Sequence, residues 1–224
     1  MSSQTKSRTV ALVTLGCARN EVDSEELAGR LAADGWTLVD DAADADVAVI
    51  NTCGFIESAK KDSVDALLEA HALKGHGKTQ AVVAVGCMAE RLIEDLLEQE
   101  KMVDLIVGPD AYRSLPELIQ KAEAGHKAVN VLLSREETYA DIAPTHLSTN
   151  GINGFVTIMR GCNNMCSFCV VPFTRGRERS RDAFSIVAEC RDLFEKGYKE
   201  ITLLGQNVDS YYWNNPETNI SVTF

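Results

Sequence analysis

Three cysteines, Cys162, Cys166 and Cys169, lie close together in the chain, and no histidine stands near them. Thiolates at such short spacings are typical ligands of iron-sulfur clusters, and three of them can hold three corners of a four-iron cluster. The fourth iron then stays open to another molecule. The spacing therefore predicts a cluster that can carry out chemistry.

A zinc site is the alternative for this triplet. Structural zinc needs four ligands and favours paired short spacings, which the triplet lacks. Cys190 is the candidate fourth ligand, but it shares a helical face with Ile186, Val187, Leu193 and Phe194. That pattern predicts a place for Cys190 in the core.

Three further cysteines, Cys17, Cys53 and Cys87, each follow a predicted β-strand. The carboxyl ends of parallel strands meet at one edge of a sheet, and ligands bind at that edge. Any one of these cysteines can instead be a small buried hydrophobic residue. The position that all three share predicts a common ligand.

Short β-branched runs alternate with amphipathic helical patterns, which predicts an α/β fold with a parallel sheet. The predicted strands are Thr9 to Leu15, Val47 to Asn51, Ala81 to Val85, Val103 to Val107 and Ala128 to Leu133. The predicted helices are one with Leu27 and Leu31 after a capping box at Asp23 and Glu26, one with Val64, Leu67 and Leu68, one with Leu92, Ile93, Leu96 and Leu97, and one after Pro116.

The chain divides into a disordered tail at residues 1–8, a cluster-binding domain at 9–133, a linker at 134–153 rich in Ser, Thr, Asn and Pro, and a second domain at 154–224. The second domain is predicted to contain a strand from Phe155 to Met159, a helix from Asp182 to Lys196 and a strand from Glu200 to Leu204. It has room for about two βα units of an eight-unit barrel.

The net charge of −11 argues against a generally basic nucleic-acid-binding protein. One basic run stands out, with Arg175, Arg177, Arg179 and Arg181 alternating along the chain. It could meet phosphates or a carboxylate, or it could be a solvated strip with surface ion pairs. Seven widely spaced cysteines, no apolar run of membrane-spanning length and no secretory signal predict reduced thiols and a cytosolic location.

The triplet, with the aromatic Phe168 before its last cysteine, resembles the CxxxCxxC signature of the radical S-adenosylmethionine (radical-SAM) enzymes. Pro172 and the run from Thr174 to Arg181 are similar to the methylthiotransferases of that superfamily. Those enzymes carry three more cluster-binding cysteines in a separate N-terminal domain, and the matching positions here are Cys17, Cys53 and Cys87. The resemblance extends from about Thr9 to Tyr212.

This resemblance implies an N-terminal parallel-sheet methylthiotransferase domain, followed by the first βα units of a truncated radical-SAM partial TIM barrel. It also implies two 4Fe-4S clusters and S-adenosylmethionine. The triplet would hold the cluster that binds the cofactor and generates a radical, and the other three cysteines would hold the cluster that delivers a methylthio group. It further implies an electron donor such as a flavodoxin or ferredoxin, and it implies no association with a membrane.

Other positions carry weaker expectations. Phe168, Arg175, Gly205 and Gln206 are predicted to bind the cofactor, although Phe168 could face the core and Gly205 and Gln206 could form a simple turn. Family motif positions are also matched by Asn20, Asp23, Asn51 and Thr52, for which caps and turns are an alternative explanation.

Two substrate branches are visible in one chain. The segments Leu15 to Glu25 and Asn51 to Ile56 resemble the RimO-type branch, which modifies an aspartate of a small-subunit ribosomal protein. From about Glu90 onward, segments such as Val107 to Tyr112 and Leu204 to Val208 resemble the MiaB-type branch, which modifies the tRNA adenosine beside the anticodon and has eukaryotic mitochondrial relatives. The sequence therefore predicts a mosaic joined near residues 86–91, with tRNA as the expected substrate. A ribosomal protein is the second candidate, and an inactive fragment or partner-binding regulator is the third.

Overall fold

The computed structural model describes residues 8–91, 102–123, 128–147 and 151–224. Residues 1–7 of the predicted tail and the predicted helix with Leu92, Ile93, Leu96 and Leu97 lie outside the described residues. Within the described ranges, no helix is long and apolar enough to cross a bilayer.

A six-stranded parallel sheet organises the first part of the chain. Its strands are β1 Thr9–Thr14, β2 Thr37–Val39, β3 Val47–Thr52, β4 Ala81–Gly86, β5 Leu105–Val107 and β6 Ala128–Asn130. The accompanying helices are α1 Ala18–Ala33, α2 Glu57–Leu73, α3 Cys87–Arg91 and α4 Leu115–Glu123, with short 3-10 helices at Ala42–Asp44 and Tyr112–Ser114. The spatial order is β2-β1-β3-β4-β5-β6, which confirms the predicted α/β class.

Both faces of this sheet are covered, and β3 illustrates why its sequence is apolar from Val47 to Ile50. Successive side chains of a strand point to opposite faces. Val47 and Val49 therefore join one core with Leu27 of α1, whereas Ala48 and Ile50 join the core on the opposite face. Burial on both faces is typical of parallel sheets and requires an unbroken hydrophobic run.

Several predicted boundaries in this part are wrong. The edge strand β2 was not expected, because three residues are too few to show a pattern. Strand β6 ends at Asn130 rather than Leu133, and Leu132 is exposed. Asp23 and Glu26 do not form a capping box, because α1 already begins at Ala18 with Cys17 in the N-cap position.

The second part of the chain contains a βαβ unit. Its elements are β7 Asn153–Thr157, β8 Met159–Arg160, α5 Val171–Thr174, β9 Arg179–Ser180, α6 Ala183–Glu195, β10 Glu200–Leu204, a 3-10 helix Val208–Ser210, β11 Tyr212–Asn214 and β12 Ser221–Thr223. Strands β7 and β10 pair in parallel, and α6 lies between them in the chain. The predicted helix is confirmed, since Asp182 caps its start by accepting a hydrogen bond from the Ser185 amide. The predicted strand from Phe155 to Met159 is divided between β7 and β8.

A small core closes this second part. It contains Val156, Ile158 and Leu193, with Cys190 partly buried at its margin. The expected core face of α6 is therefore only half right, because Val187 and Phe194 are exposed.

The predicted linker packs on the rest of the molecule in its described part. Tyr139 is buried, its ring stacks on Tyr112 at a centroid distance of 5.6 Å, and its hydroxyl donates to the Pro109 carbonyl at 3.1 Å. Further along, the backbone amide of Thr145 donates to the carbonyl of Glu25 in α1 at 3.0 Å. The division of the chain at residues 134 and 153 stays a prediction.

Candidate functional site

Cys17, Cys53 and Cys87 follow three adjacent strands of the large sheet. The strands β1, β3 and β4 are neighbours, and their registers bring Thr14 opposite Asn51 and Thr52 opposite Gly86. The three cysteines therefore leave the sheet at one edge and at nearly one level. Burial raises the pKa of the Cys53 thiol, and the proximity of Cys87 and Cys17 raises it further.

Glycines let the cysteine loops approach each other closely. Gly16 has a φ of +99°, and a Cβ at this position would lie 2.6 Å from the Cβ of Cys53 and 2.9 Å from its sulfur. Gly86 also has a positive φ, and a Cβ there would collide with the side chain of Asn51. Any side chain at Gly16 would separate the first two cysteine loops.

Polar side chains tie the same strand ends together. The Asn20 amide nitrogen donates to the carbonyls of Leu15 at 2.7 Å and Thr52 at 3.1 Å, which precede Cys17 and Cys53. The Asn51 amide nitrogen donates to the Asn20 carbonyl at 2.8 Å, and the Thr52 hydroxyl donates to the Val85 carbonyl at 2.6 Å. These residues connect strand ends, so the alternative that they are only caps and turns is wrong.

The triplet lies on the loop between β8 and α5, just beyond the carboxyl end of β7. Cys162 is buried, Cys169 is half-buried and Cys166 is exposed. The backbone amide of Cys162 donates to the Gly176 carbonyl at 3.2 Å, and that of Cys169 donates to the Cys166 carbonyl at 3.0 Å. The loop is thus closed on itself and anchored to the arginine-rich run.

The other predicted cofactor residues lie in different settings. Phe168 is 85% exposed, so it does not face the core of the described structure. A Cβ at Gly205 would lie 2.5 Å from the Met159 side chain, which places this turn against β8. The buried amide oxygen of Gln206 finds no hydrogen-bond partner among the described residues.

A buried group of charges joins the two cysteine regions. We call Asp23, Glu26, Arg160 and Arg175 the clasp. Asp23 in α1 forms ion pairs with Arg160 at 3.1 Å and Arg175 at 2.7 Å, and Arg160 also pairs with Glu26 at 2.9 Å. Arg160 precedes the triplet by one glycine, and Arg175 follows it. One carboxylate on the helix that begins after Cys17 therefore holds both ends of the triplet loop.

The pKa values of the two clasp carboxyl groups are shifted in opposite directions. Burial would raise the pKa of Asp23, but the charges of Arg160 and Arg175 outweigh burial and hold this pKa at about 2. Burial dominates at Glu26 and raises its pKa to about 7, although Arg160 opposes the rise. Asp23 is thus the firmly ionised partner of both arginines.

The arginine run is mostly internal. Arg175, Arg179 and Arg181 are buried and pair with Asp23, Asp110 and Glu189 respectively. Arg177 is exposed. The expectation of a solvated strip is therefore wrong for three of the four, and the expected carboxylate contacts are within the chain itself. Sequence reasoning missed the clasp, because its acidic members lie more than 130 residues from Arg160.

Comparisons with known proteins agree with these two regions. A family model described as "Uncharacterized protein family UPF0004" matches residues 9–108, and one described as "Radical SAM superfamily" matches residues 156–219. Two proteins named tRNA-2-methylthio-N(6)-dimethylallyladenosine synthase, from Amoebophilus asiaticus and Christiangramia forsetii, are 52% and 53% identical to this chain, over 96% and 92% of its length. The chain belongs to the radical-SAM methylthiotransferase family.

The chain spans less than half the length of the curated relatives it matches, 44% and 43% of the two named above. A solved structure, the radical S-adenosylmethionine methyltransferase TsrM from Kitasatospora setae with cobalamin and a [4Fe-4S] cluster bound, has a TM-score of 0.58 at 16% identity. The structural match covers 92% of this chain and 50% of the TsrM chain, and it supports the fold assignment. The alignments to the curated relatives run through residues 86–91, and the mosaic stays a prediction.

The cysteines of the chain fit iron-sulfur ligation. All six candidate cysteines are free thiols, and soft thiolates are the usual cluster ligands. Among the described residues, no group of three or more His, Cys, Asp or Glu side chains is arranged to hold a metal ion. A cluster spreads its ligands over several irons, and Cys17 and Cys53 line one cavity together with Gly16.

Proposed function

We propose that the chain is part of a tRNA methylthiotransferase, which inserts a methylthio group into a C–H bond of the adenosine adjacent to the anticodon. It would use two 4Fe-4S clusters and S-adenosylmethionine, receive electrons from a donor such as a flavodoxin or ferredoxin, and work in the cytoplasm, or in mitochondria if the source is eukaryotic. The main support for this proposal is that two sets of three cysteines occupy strand-end loops, which the clasp holds together.

Each part of the chain has a distinct task in this proposal. Cys162, Cys166 and Cys169 would hold one cluster, and Cys17, Cys53 and Cys87 would hold the other. When bound, the clusters and S-adenosylmethionine supply the radical that removes hydrogen and the sulfur and methyl group that replace it. Gln206 offers an unused acceptor beside β8 for the cofactor, and the exposed ring of Phe168 offers it an apolar surface.

The names of the curated relatives support tRNA as the substrate. The arginine run gives less support than its sequence suggested, because three of its four guanidinium groups are committed to internal carboxylates. Phosphate contacts would therefore come from other basic groups. The ribosomal-protein substrate is the second candidate, favoured by the resemblance of Leu15 to Glu25 and Asn51 to Ile56 to that branch.

Iron content tests the cluster assignment. After anaerobic reconstitution with iron and sulfide, we expect about eight irons per chain, the amount for two four-iron clusters. Alanine at Cys162, Cys166 and Cys169 should remove about half of the iron, and a C190A control should keep it all. Iron content that does not change in the triple variant, or stoichiometric zinc in its place, would refute the assignment.

Turnover and substrate are tested separately. The reduced, reconstituted chain should cleave S-adenosylmethionine to 5′-deoxyadenosine. Methylthiolation is then assayed on unmodified tRNA and on the small-subunit ribosomal protein, and a product on the protein alone would reverse our choice of substrate. Full iron without any 5′-deoxyadenosine would favour the third candidate, an inactive fragment or partner-binding regulator.

A further inference from the structure

Arg175 belongs to the radical-SAM match, yet its side chain contacts the other part of the chain. It is 3% exposed. One terminal nitrogen donates to the Asn20 side-chain oxygen at 2.9 Å, and the other forms the ion pair with Asp23 at 2.7 Å. Arg175 thus reaches into the region of Cys17, Cys53 and Cys87, although it lies only six residues after Cys169.

The contact with Asn20 ties Arg175 to two of the three cysteine loops. Asn20 uses its amide nitrogen to hold the carbonyls that precede Cys17 and Cys53, and its oxygen receives the hydrogen bond from Arg175. The third loop is also close, because α5, which ends just before Arg175, packs against α3, which begins at Cys87.

Electrostatics agree with this placement. Burial alone would lower the pKa of Arg175, but Asp23 and Cys87 raise it well above its ordinary value. A guanidinium keeps its charge at every pH at which the protein is folded. The cysteine set therefore has a fixed positive charge beside it.

We propose that Arg175 is a positioning residue for the cluster on Cys17, Cys53 and Cys87: it locks the three cysteine loops to the triplet loop and raises the reduction potential of that cluster. The inference rests on the proposed function, since it requires a cluster at these cysteines. Net charge and hydrogen bonding near an iron-sulfur cluster set its potential. A nearby cation favours the reduced form, which carries one more negative charge.

The test uses the full chain with Cys162, Cys166 and Cys169 replaced by alanine, so that only one cluster remains. It is reconstituted anaerobically with iron and sulfide and titrated with dithionite under electron paramagnetic resonance. R175Q should lower the reduction equilibrium constant at least tenfold, a shift of about 59 mV to more negative potential for one electron. R177Q, which neutralises an exposed arginine of the same run, should leave the potential unchanged. Equal potentials for R175Q and its parent would overturn the proposal.

A second variant guards against a folding defect, because R175Q leaves Asp23 with one arginine fewer. The pair D23N and R175Q removes both partners, which is tolerated better than removing one. Loss of the Asp23 charge works against the shift, so we expect a smaller shift that is still negative, because Arg175 donates a hydrogen bond to Asn20, which holds two of the cysteine loops. An unshifted potential here overturns the inference alone. Failure of the parent to bind iron refutes the cluster assignment instead.

Discussion

Glu26 lies buried in α1 against Arg160, and its raised pKa gives the stability of the protein a definite pH dependence. The pKa is about 7 in the folded chain, against 4.5 for an ordinary glutamate. A folded state that holds the proton more tightly is favoured at low pH. The contribution is fully present below about pH 4.5 and is lost as the pH rises through about 7. Above that pH, folding bears the cost of a buried carboxylate.

The size of the effect follows from the two pKa values. Each pH unit of difference corresponds to about 1.4 kcal/mol, so the whole interval amounts to about 3 kcal/mol of unfolding free energy. Between pH 5 and pH 8 we expect most of this change, about 2–3 kcal/mol. The variant E26Q keeps an oxygen that can accept from Arg160 but cannot ionise, so it should lack this part of the slope.

Urea unfolding of the apo protein between pH 5 and pH 8 measures the prediction. E26Q should gain stability relative to the unchanged protein as the pH rises, whereas E21Q, at an exposed position of the same helix, should run parallel to it. Because the Glu25 carboxylate accepts a hydrogen bond from His146, the pKa of His146 is raised and adds a slope of the same sign. That slope is common to all three proteins, so only their differences count. Parallel curves for E26Q would refute the reasoning.

Two further changes test the packing and the clasp. The Cβ introduced by G29A would overlap the Ala143 carbonyl oxygen. We therefore expect the unfolding free energy in urea to fall by about 1–3 kcal/mol and proteolysis at residues 140–147 to become faster. The control A33S, at an exposed position, should change neither. R160M should cost about 3–5 kcal/mol because it removes the arginine partner of Glu26 and one of the two arginine partners of Asp23. R113M breaks a surface ion-pair network and should cost about 0–1 kcal/mol, so equal costs would contradict the importance of the clasp.

The elements that position the cysteines could be predicted because each has a local signal. The runs Val47 to Asn51 and Ala81 to Val85 are continuous, apolar and β-branched, and a cysteine follows each within two residues. Such runs are typical of strands buried on both faces of a parallel sheet. The common edge of Cys17, Cys53 and Cys87 follows from the parallel order alone. Whether the cysteines bind a cluster stays a prediction.

The clasp and the buried part of the linker could not be predicted, because their partners are distant in the chain. An arginine run has the same appearance whether it faces water or a buried carboxylate, and only tertiary contacts such as Arg175 with Asp23 and Arg179 with Asp110 decide between them. Tyr139 stands in a polar segment without periodicity, and it is buried because Tyr112 and Arg160 surround its ring. The sequence places Asp23 at a helix start because its spacing to Glu26 matches a capping box. The helix begins earlier, at Ala18, because the chain already turns at Gly16 before Cys17.

The clasp also has a consequence for synthesis on the ribosome. Glu26 and its partner Arg160 are 134 residues apart. At about 5–20 residues per second, the ribosome adds Arg160 about 7–27 s after Glu26. During this interval, the acidic face of α1 has no partner from the later part of the chain and stays hydrated. The nascent sheet therefore presents a charged surface rather than an apolar one until the arginines are synthesised and form ion pairs with it.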